Sequence, residues 1–367
     1  MRFVMFYHSL ISDWNHGNAH FLRGVVTELL ARGHEVTVFE PGDSWSVDNL
    51  VRDHGLEPLL DFQEYYPGLS SVRYSLAGLD LERELEDADV VLVHEWNDPE
   101  LVRSIGRHRA RGGSYRLFFH DTHHRMATDP QAMGGYEIDH YDGVLAFGEV
   151  IAELYRERGW RRQAWTWHEA ADTRIFRPRK PEPRDGDVVW IGNWGDGERT
   201  EELQEFLFGP VTELGLRARI HGVRYPEDAR RKLASAGIEY RGWVANFQAP
   251  EIFARFAATV HVPRRPYART LPGIPTIRVF EALACGIPLV SAPWNDVEGL
   301  FRPGTDYLVA RDGREMRQQL KLLLADRAAA AELARHGLET VFARHTCAHR
   351  VDELFTIIGE DKCRRVA

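Results

Sequence analysis

The sequence predicts an α/β protein of two successive domains, each built on a parallel sheet with helices around it. Three observations carry that expectation. Short apolar runs of strand length alternate with stretches of helical spacing. The alternation starts twice along the chain. Between the two series lies the stretch 178–187, whose prolines and charges read as a linker.

The first series opens with an apolar strand at 3–7. Helical spacing of Phe21, Val25, Leu29 and Leu30 predicts a helix over 17–32, which Gly33 ends. Strands follow at 35–39, 89–94, 115–120 and 143–147. Such alternation implies right-handed crossovers and ligands at the carboxyl ends of the strands. The second series has strands at 187–193, 218–222 and 258–262. At the end, Val351, Leu354, Phe355 and Ile358 give 346–359 an amphipathic pattern. The expected division is therefore 1–178, 179–345 and a terminal helical segment 346–367.

A chain of 367 residues suits two domains, and 44% hydrophobic with 28% charged residues is a globular composition. No apolar run approaches the roughly 18 residues that suggest a bilayer span. Met1-Arg2-Phe3 enters a strand directly rather than a signal peptide, so a cytoplasmic protein is expected. Cys285, Cys347 and Cys363 are odd in number and scattered, which argues for a reducing compartment. Up to Pro178 there are 18 Lys and Arg against 29 Asp and Glu, and beyond it 28 against 26. The acidic first half argues against nucleic acid or an anionic membrane as partner, and the second half suits a bound dianion.

The stretch 273–291 is the most informative. Pro275 suits the first position of a helix, Gly286 a left-handed end, and 287–290 a buried strand. Gly273 permits close backbone approach just before a helix N-terminus, where free N–H groups and the helix dipole favour an anion such as a diphosphate. Glu281, one turn on, is an acceptor suited to vicinal hydroxyls such as those of a ribose.

The run Glu281-Ala282-Leu283-Ala284-Cys285-Gly286-Ile287-Pro288 resembles the Glu-Ala-x-Ala-x-Gly-x-Pro signature of GT-B-fold glycosyltransferases, most closely family 4 and the CgeB-like group. Asp172-Thr173 with Phe176 and Pro178 resembles the segment that closes their first domain. The resemblance implies two Rossmann-like domains facing a cleft, with the C-terminal helix returning to the first. It also implies a nucleotide-sugar donor, a UDP-, GDP- or dTDP-sugar, with no further cofactor and no metal.

Residue by residue, the resemblance places Glu281 on the ribose and Gly273, Ile274 and Thr276 on the diphosphate. Gly192 and Asn193 occupy its Gly-Arg turn, where asparagine replaces the arginine and Arg199 is the substitute cation. Trp243 and Val244 fall at the nucleobase position. Arg264, Arg265 and Arg269 precede the phosphate loop. In the first domain Gly17 lies in the loop after strand one, where the family often has two glycines. His120 and Asp121 match its His-Asp pair beside the donor sugar. Gly273 stands eight residues before Glu281, where family 4 enzymes commonly carry a glutamate.

Other residues remain open. His94, Glu95, His120, Asp121, His123 and His124 are an alternative metal set without an established spacing. His8, Asp13, His16 and His20 are candidate bases on the acceptor side, and Tyr65, Tyr66 and Tyr74 either stack on a saccharide or pack. The expectation is a metal-independent, retaining glycosyltransferase acting on an unidentified acceptor. A silent nucleotide-sugar binder and a nucleotide-sugar epimerase are the alternatives. No Gly-x-Gly-x-x-Gly follows strand one, which disfavours a dehydrogenase.

Overall fold

The computed structural model describes residues 1–159, 163–180, 182–195 and 197–365. Pro181 of the expected linker, and Val366 and Ala367 of the expected terminal segment, lie outside them, as does the side chain of Cys363. The chain forms two compact units, Met1–Glu169 with Cys347–Ala367 and Ala170–Thr346. The division falls at Ala170 rather than after Pro178. Ala171 donates its amide to His345 O at 3.0 Å and bridges Thr346, so the segment before the linker belongs to the second unit.

The first unit holds a parallel sheet of β1 (Arg2–Phe6), β2 (Glu35–Pro41), β3 (Val72–Tyr74), β4 (Val90–His94), β5 (Arg116–Asp121), β6 (Gly143–Ala146) and β7 (Ala164–Thr166). Their order is β3-β2-β1-β4-β5-β6-β7. The order reverses between β1 and β4, which makes the carboxyl ends of these strands the switch point where such sheets bind ligands. β4 and β5 are buried along their whole length. That is why they read as continuous apolar runs rather than alternating ones. The helix expected over 17–32 spans Ala19–Ala31, because Asn18 sits outside it and donates its side-chain amide to Thr122 Oγ1 at 2.5 Å.

The terminal helix, Cys347–Arg365, packs against the Ala19–Ala31 helix within this unit. Phe355 meets Phe3 edge-on at 6.0 Å, and Val351, Leu354, Ile357 and Ile358 are buried. The Trp167 indole donates to Arg350 O at 2.7 Å, and Arg350, itself buried, donates from Nε to His168 O at 2.9 Å.

The second unit holds β8 (Gly186–Ile191), β9 (Ala218–His221), β10 (Glu239–Tyr240), β11 (Phe256–His261), β12 (Leu289–Ser291) and β13 (Leu308–Val309). They form a parallel sheet in the order β10-β9-β8-β11-β12-β13. Its core gathers Val188, Trp190, Ile220, Val260 and Val290 from the strands with Leu203, Leu207, Met316 and Leu320 from the helices. The edge strands β3, β7, β10 and β13 are too short to stand out as apolar runs. Among the described residues no helix is long and apolar enough to cross a membrane.

Candidate functional site

In the second unit the chemistry collects at the carboxyl ends of β8, β11 and β12. The helix that the sequence placed after Gly273 runs Ile277–Ala284, with Thr276 as its N-cap residue, so Pro275 precedes the cap rather than opening the helix. Thr276 gives the helix no side-chain cap. Its hydroxyl instead meets His261 Nε2 at 3.0 Å, and His261 Nδ1 meets Ser291 Oγ at 2.8 Å, which ties the ends of β11 and β12 to the cap. The first-turn amides of an uncapped helix favour an anion.

Three guanidinium groups, of Arg199, Arg264 and Arg278, act on one another in this unit. Arg199 is buried, donating from Nη1 to Val262 O at 3.0 Å and from Nη2 to Asn193 O. Burial pushes its pKa down, and the positive charges of Arg264 and Arg278 push it further the same way. Burial and the charge of Arg199 likewise hold His261 down at about 3, so its ring is neutral. Like charges repel one another, and a bound anion relieves that repulsion. Arg278 was not singled out in the sequence. Its signal was its place three residues before Glu281, on the same helix face.

The other expected donor residues are placed as follows. Glu281 is fully buried, with Arg278 bonded to its Oε2. The Gly273 amide donates to Asn295 O at 2.6 Å, so that N–H is not one of those open to a diphosphate. Ile274 is buried. Arg265 pairs with Glu202 at 2.7 Å, and Arg269 reaches the same carboxylate at 3.7 Å, so both turn to the acidic Thr200–Leu203 helix. Arg264 pairs with Glu198 at 3.3 Å.

Gly192 makes room for a neighbour: a β-carbon there would stand 2.5 Å from the Trp190 ring, and its carbonyl accepts from Trp190 Nε1 and Tyr225 OH, each at 3.0 Å. Asn193 Oδ1 accepts from Val223 N at 3.0 Å, closing the β8–β9 end. Trp243 and Val244 are half-buried after Gly242, which has φ +70°.

In the first unit the polar residues sit at the ends of β1, β4 and β5. Side chains alternate along a strand, so His94 and His120, paired in register, share one face and Asp121 takes the other, while Glu95, in the turn after β4, accepts from Thr122 Oγ1 at 3.4 Å, the same hydroxyl that meets His94 Nε2 at 2.9 Å. On the first face the rings of His8, His16, His94 and His120 follow one another at 5.2, 6.1 and 5.5 Å, and Trp167 closes the row 4.8 Å from His120. Burial holds His8 at about 4 and His120 at about 3, and holds His16 and His94 well below the ordinary value, so all four are neutral near pH 7. Both ring nitrogens of His120 are buried with no hydrogen-bond partner among the described residues.

Burial raises Glu95 and Asp121, and the charge of Asp121 raises Glu95 further. Arg125 bonds the Glu95 carboxylate, and Tyr155 donates its hydroxyl to Asp121 at 2.8 Å. Among the described residues no group of three His, Cys, Asp or Glu is arranged to hold a metal ion.

The loop after β1 is gripped on both sides. Glu40 accepts from the amides of Leu10 and Ile11 at 2.5 and 3.0 Å. Arg23, fully buried, donates to Leu10 O at 2.7 Å, to Ile11 O at 3.1 Å and to Asp13 at 2.9 Å. Asp13 is thus held by a cation, and Gly17 lies half-buried in the turn before the helix. Tyr66 and Tyr74 pack instead of offering a saccharide platform: Arg23 lies over the Tyr66 ring, and Tyr74 donates to Asn97 Oδ1 at 3.3 Å. Trp45, stacked on His8 at 4.8 Å and 38% exposed, is the open aromatic face near these histidines.

Residues 199–356 match the family model described as glycosyl transferase-like. Solved structures of similar fold match almost end to end. An α-glucosyltransferase in complex with UDP and a 13-mer DNA is 14% identical, with a TM-score of 0.69 over 98% of this chain and 99% of that one. Sucrose-phosphate synthase from Thermosynechococcus elongatus is 13% identical, at 0.65 over 98% and 100%. Anabaena HepE, solved with UDP and glucose, is 12% identical, at 0.66 over 97% and 99%. No curated protein matches by sequence. The chain has the fold of these glycosyltransferase structures, and residues 199–356 are similar to the glycosyl transferase-like family.

Proposed function

We propose that this protein transfers a sugar from a UDP-sugar to an acceptor, without a metal and with retention of configuration. The observation that carries the reading is the uncapped helix N-terminus that follows Gly273, with Arg278 in its first turn and the charges of Arg264 and Arg278 both felt at the buried Arg199. The largest charge that develops as the sugar departs is on the leaving diphosphate. Preorganised guanidinium groups and helix amides are suited to stabilising that charge, the part a divalent cation plays elsewhere. In the transfer, the bond between the anomeric carbon and the phosphate oxygen breaks and UDP leaves with the electron pair. The acceptor hydroxyl oxygen bonds to that carbon, and its proton passes to the departing phosphate oxygen.

The choice of uridine is supported by two of the similar structures, the α-glucosyltransferase in complex with UDP and HepE in complex with UDP-glucose. The second unit takes the nucleotide. The first is the acceptor-side unit, where neutral imidazoles exchange hydrogen bonds with hydroxyls without attracting anions.

A thermal-shift and turnover screen with UDP-, GDP-, dTDP- and ADP-sugars, with and without EDTA, tests this. Uridine nucleotides are expected to raise Tm, and one UDP-sugar is expected to release UDP at a rate EDTA does not change. No shift with any nucleotide would overturn the reading. Affinity without UDP release would make the protein a silent binder, and loss of release in EDTA would remove the metal-independent mechanism.

A further inference from the structure

We infer that the groove between the Leu81–Leu85 and Pro99–Ala110 helices of the first unit seats a second copy of this chain, so that the protein forms a twofold dimer. The inference is independent of the donor site. The groove has a volume of about 870 Å³. One wall carries Asp80 and Glu82 and the other Arg107 and Arg111, and Leu76, Leu79, Leu81 and Leu101 give the same lining an apolar part. Leu76 is 43% exposed, an open apolar side chain at the edge of a charged surface.

The two walls belong to segments of opposite sign. From Asp80 to Asp89 there are six acids and one arginine, and from Arg103 to Arg111 four arginines and no acid. Leu101, Ser104, Arg107, His108 and Arg111 recur at steps of three and four, which puts them on one helix face. The acidic wall starts from a capped helix, Asp80 accepting from the Arg83 amide at 3.3 Å. Within one copy the walls scarcely meet. The charged contact across the groove among the described residues is His108 Nε2 to Glu82 at 3.2 Å, while Arg107 turns to Glu137 at 3.9 Å. The Tyr115 hydroxyl meets His108 Nδ1 at 2.9 Å and fixes that ring. Glu82 and Arg107 both remain exposed.

A groove with walls of one sign suits an ion or a peptide of the other sign. Here a partner has to bring an acidic stretch, a basic stretch and apolar side chains in one patch. This chain carries that patch itself. A twofold axis across the groove sets each acidic wall against the basic wall of the other copy. Exposed ion pairs are worth little in water, and excluding water between two copies strengthens them. The leucines supply apolar area, and the charges fix the orientation.

Sedimentation velocity of the full chain at micromolar concentration tests this with two double variants. Arg107→Glu with Arg111→Glu reverses the basic wall. Asp80→Ser with Glu82→Lys reverses the acidic one, serine being a residue that still caps a helix. The wild type is expected to sediment as a dimer that loosens as salt rises from about 0.05 to about 0.5 M. Each variant alone is expected to raise the dimer Kd about tenfold or more, through like charges set face to face. Mixed in equal amounts, the two are expected to form a dimer again, because every wall then meets its opposite, and that recovery also shows that both fold. A monomeric wild type would overturn the inference, as would a dimer that neither reversal weakens, or two correctly folded variants that stay monomeric in the mixture. Leu76→Asp, at an exposed position outside both helices, is a separate reading that does not depend on the reversals. It is expected to weaken the dimer by a similar factor, and an unchanged Kd would count against the interface.

Discussion

Arg278 and Glu281 stand three residues apart on one helix, and their charges offset each other inside the second unit. Glu281 is fully buried while the Arg278 side chain is 25% exposed. Removing the arginine leaves a buried carboxylate without this counter-charge. Arg278→Ala is expected to cost about 3 kcal/mol in urea unfolding, whereas a double replacement of both partners by apolar residues of similar volume should cost much less. Arg264 differs, because its pair with Glu198 is partly exposed and worth little to the fold. Arg264→Ala should therefore leave Tm near that of the wild type and weaken UDP binding about tenfold, the value of one charge-assisted contact. His120 makes a prediction about pH. Its folded pKa, about 3, lies below the unfolded value, so between those two values the unfolded chain binds a proton that the native protein refuses. Stability contributed by the neutral ring is present above about pH 6.5 and is lost as pH falls toward 3, at about 1.4 kcal/mol per pH unit. Glu95 and Asp121, raised by burial, act in the opposite direction. The comparison of wild type with His120→Asn isolates the histidine: unfolding at pH 6.5, 5.5 and 4.5 should show a shallower acid loss in the variant.

Among elements, the β1 loop shows how a segment without regular structure is made rigid. Glu40 holds two of its amides and Arg23 two of its carbonyls and Asp13, so five polar groups of the loop find partners in two fully buried side chains. The same loop begins just after His8 and leads to His16. Glu40→Gln keeps the shape and removes the charge. It is expected to cost about 1.5–3 kcal/mol and to speed hydrogen exchange at the Leu10 and Ile11 amides, with distant amides of the second unit unchanged. Strand alternation works at the same scale. It turns His120 toward Trp167 and Asp121 toward the Tyr155 hydroxyl, so neighbours in sequence serve different surroundings.

For the whole molecule, the first unit is discontinuous in sequence: the Cys347–Arg365 helix packs on the Ala19–Ala31 helix. Damage near residue 354 should therefore appear in the unit that begins at Met1. Leu354 is fully buried, and Leu354→Ala is expected to cost about 2–5 kcal/mol, lowering the calorimetric transition of the first unit while leaving that of the second in place. A single shifted transition covering both units would contradict this.

The sequence by itself determined the fold class, the strands of both series and the helix before Gly286, because parallel strands buried on two faces and amphipathic helices write their periods directly into the chain. It also pointed to 273–281, where glycine, helix start and acid lie close in sequence. The edge strands escaped it, being only two or three residues long. What only the tertiary structure decided was partnership between distant residues. Arg265 and Arg269 read like phosphate ligands beside the loop, yet their nearest charge is Glu202 from another element. Glu298 is 25 positions from Gly273 and occupies its side-chain space, a relation no spacing rule reveals. Local periodicity follows from the backbone's fixed geometry, whereas the pairing of charges across loops depends on where two sheets' worth of crossovers bring the chain back.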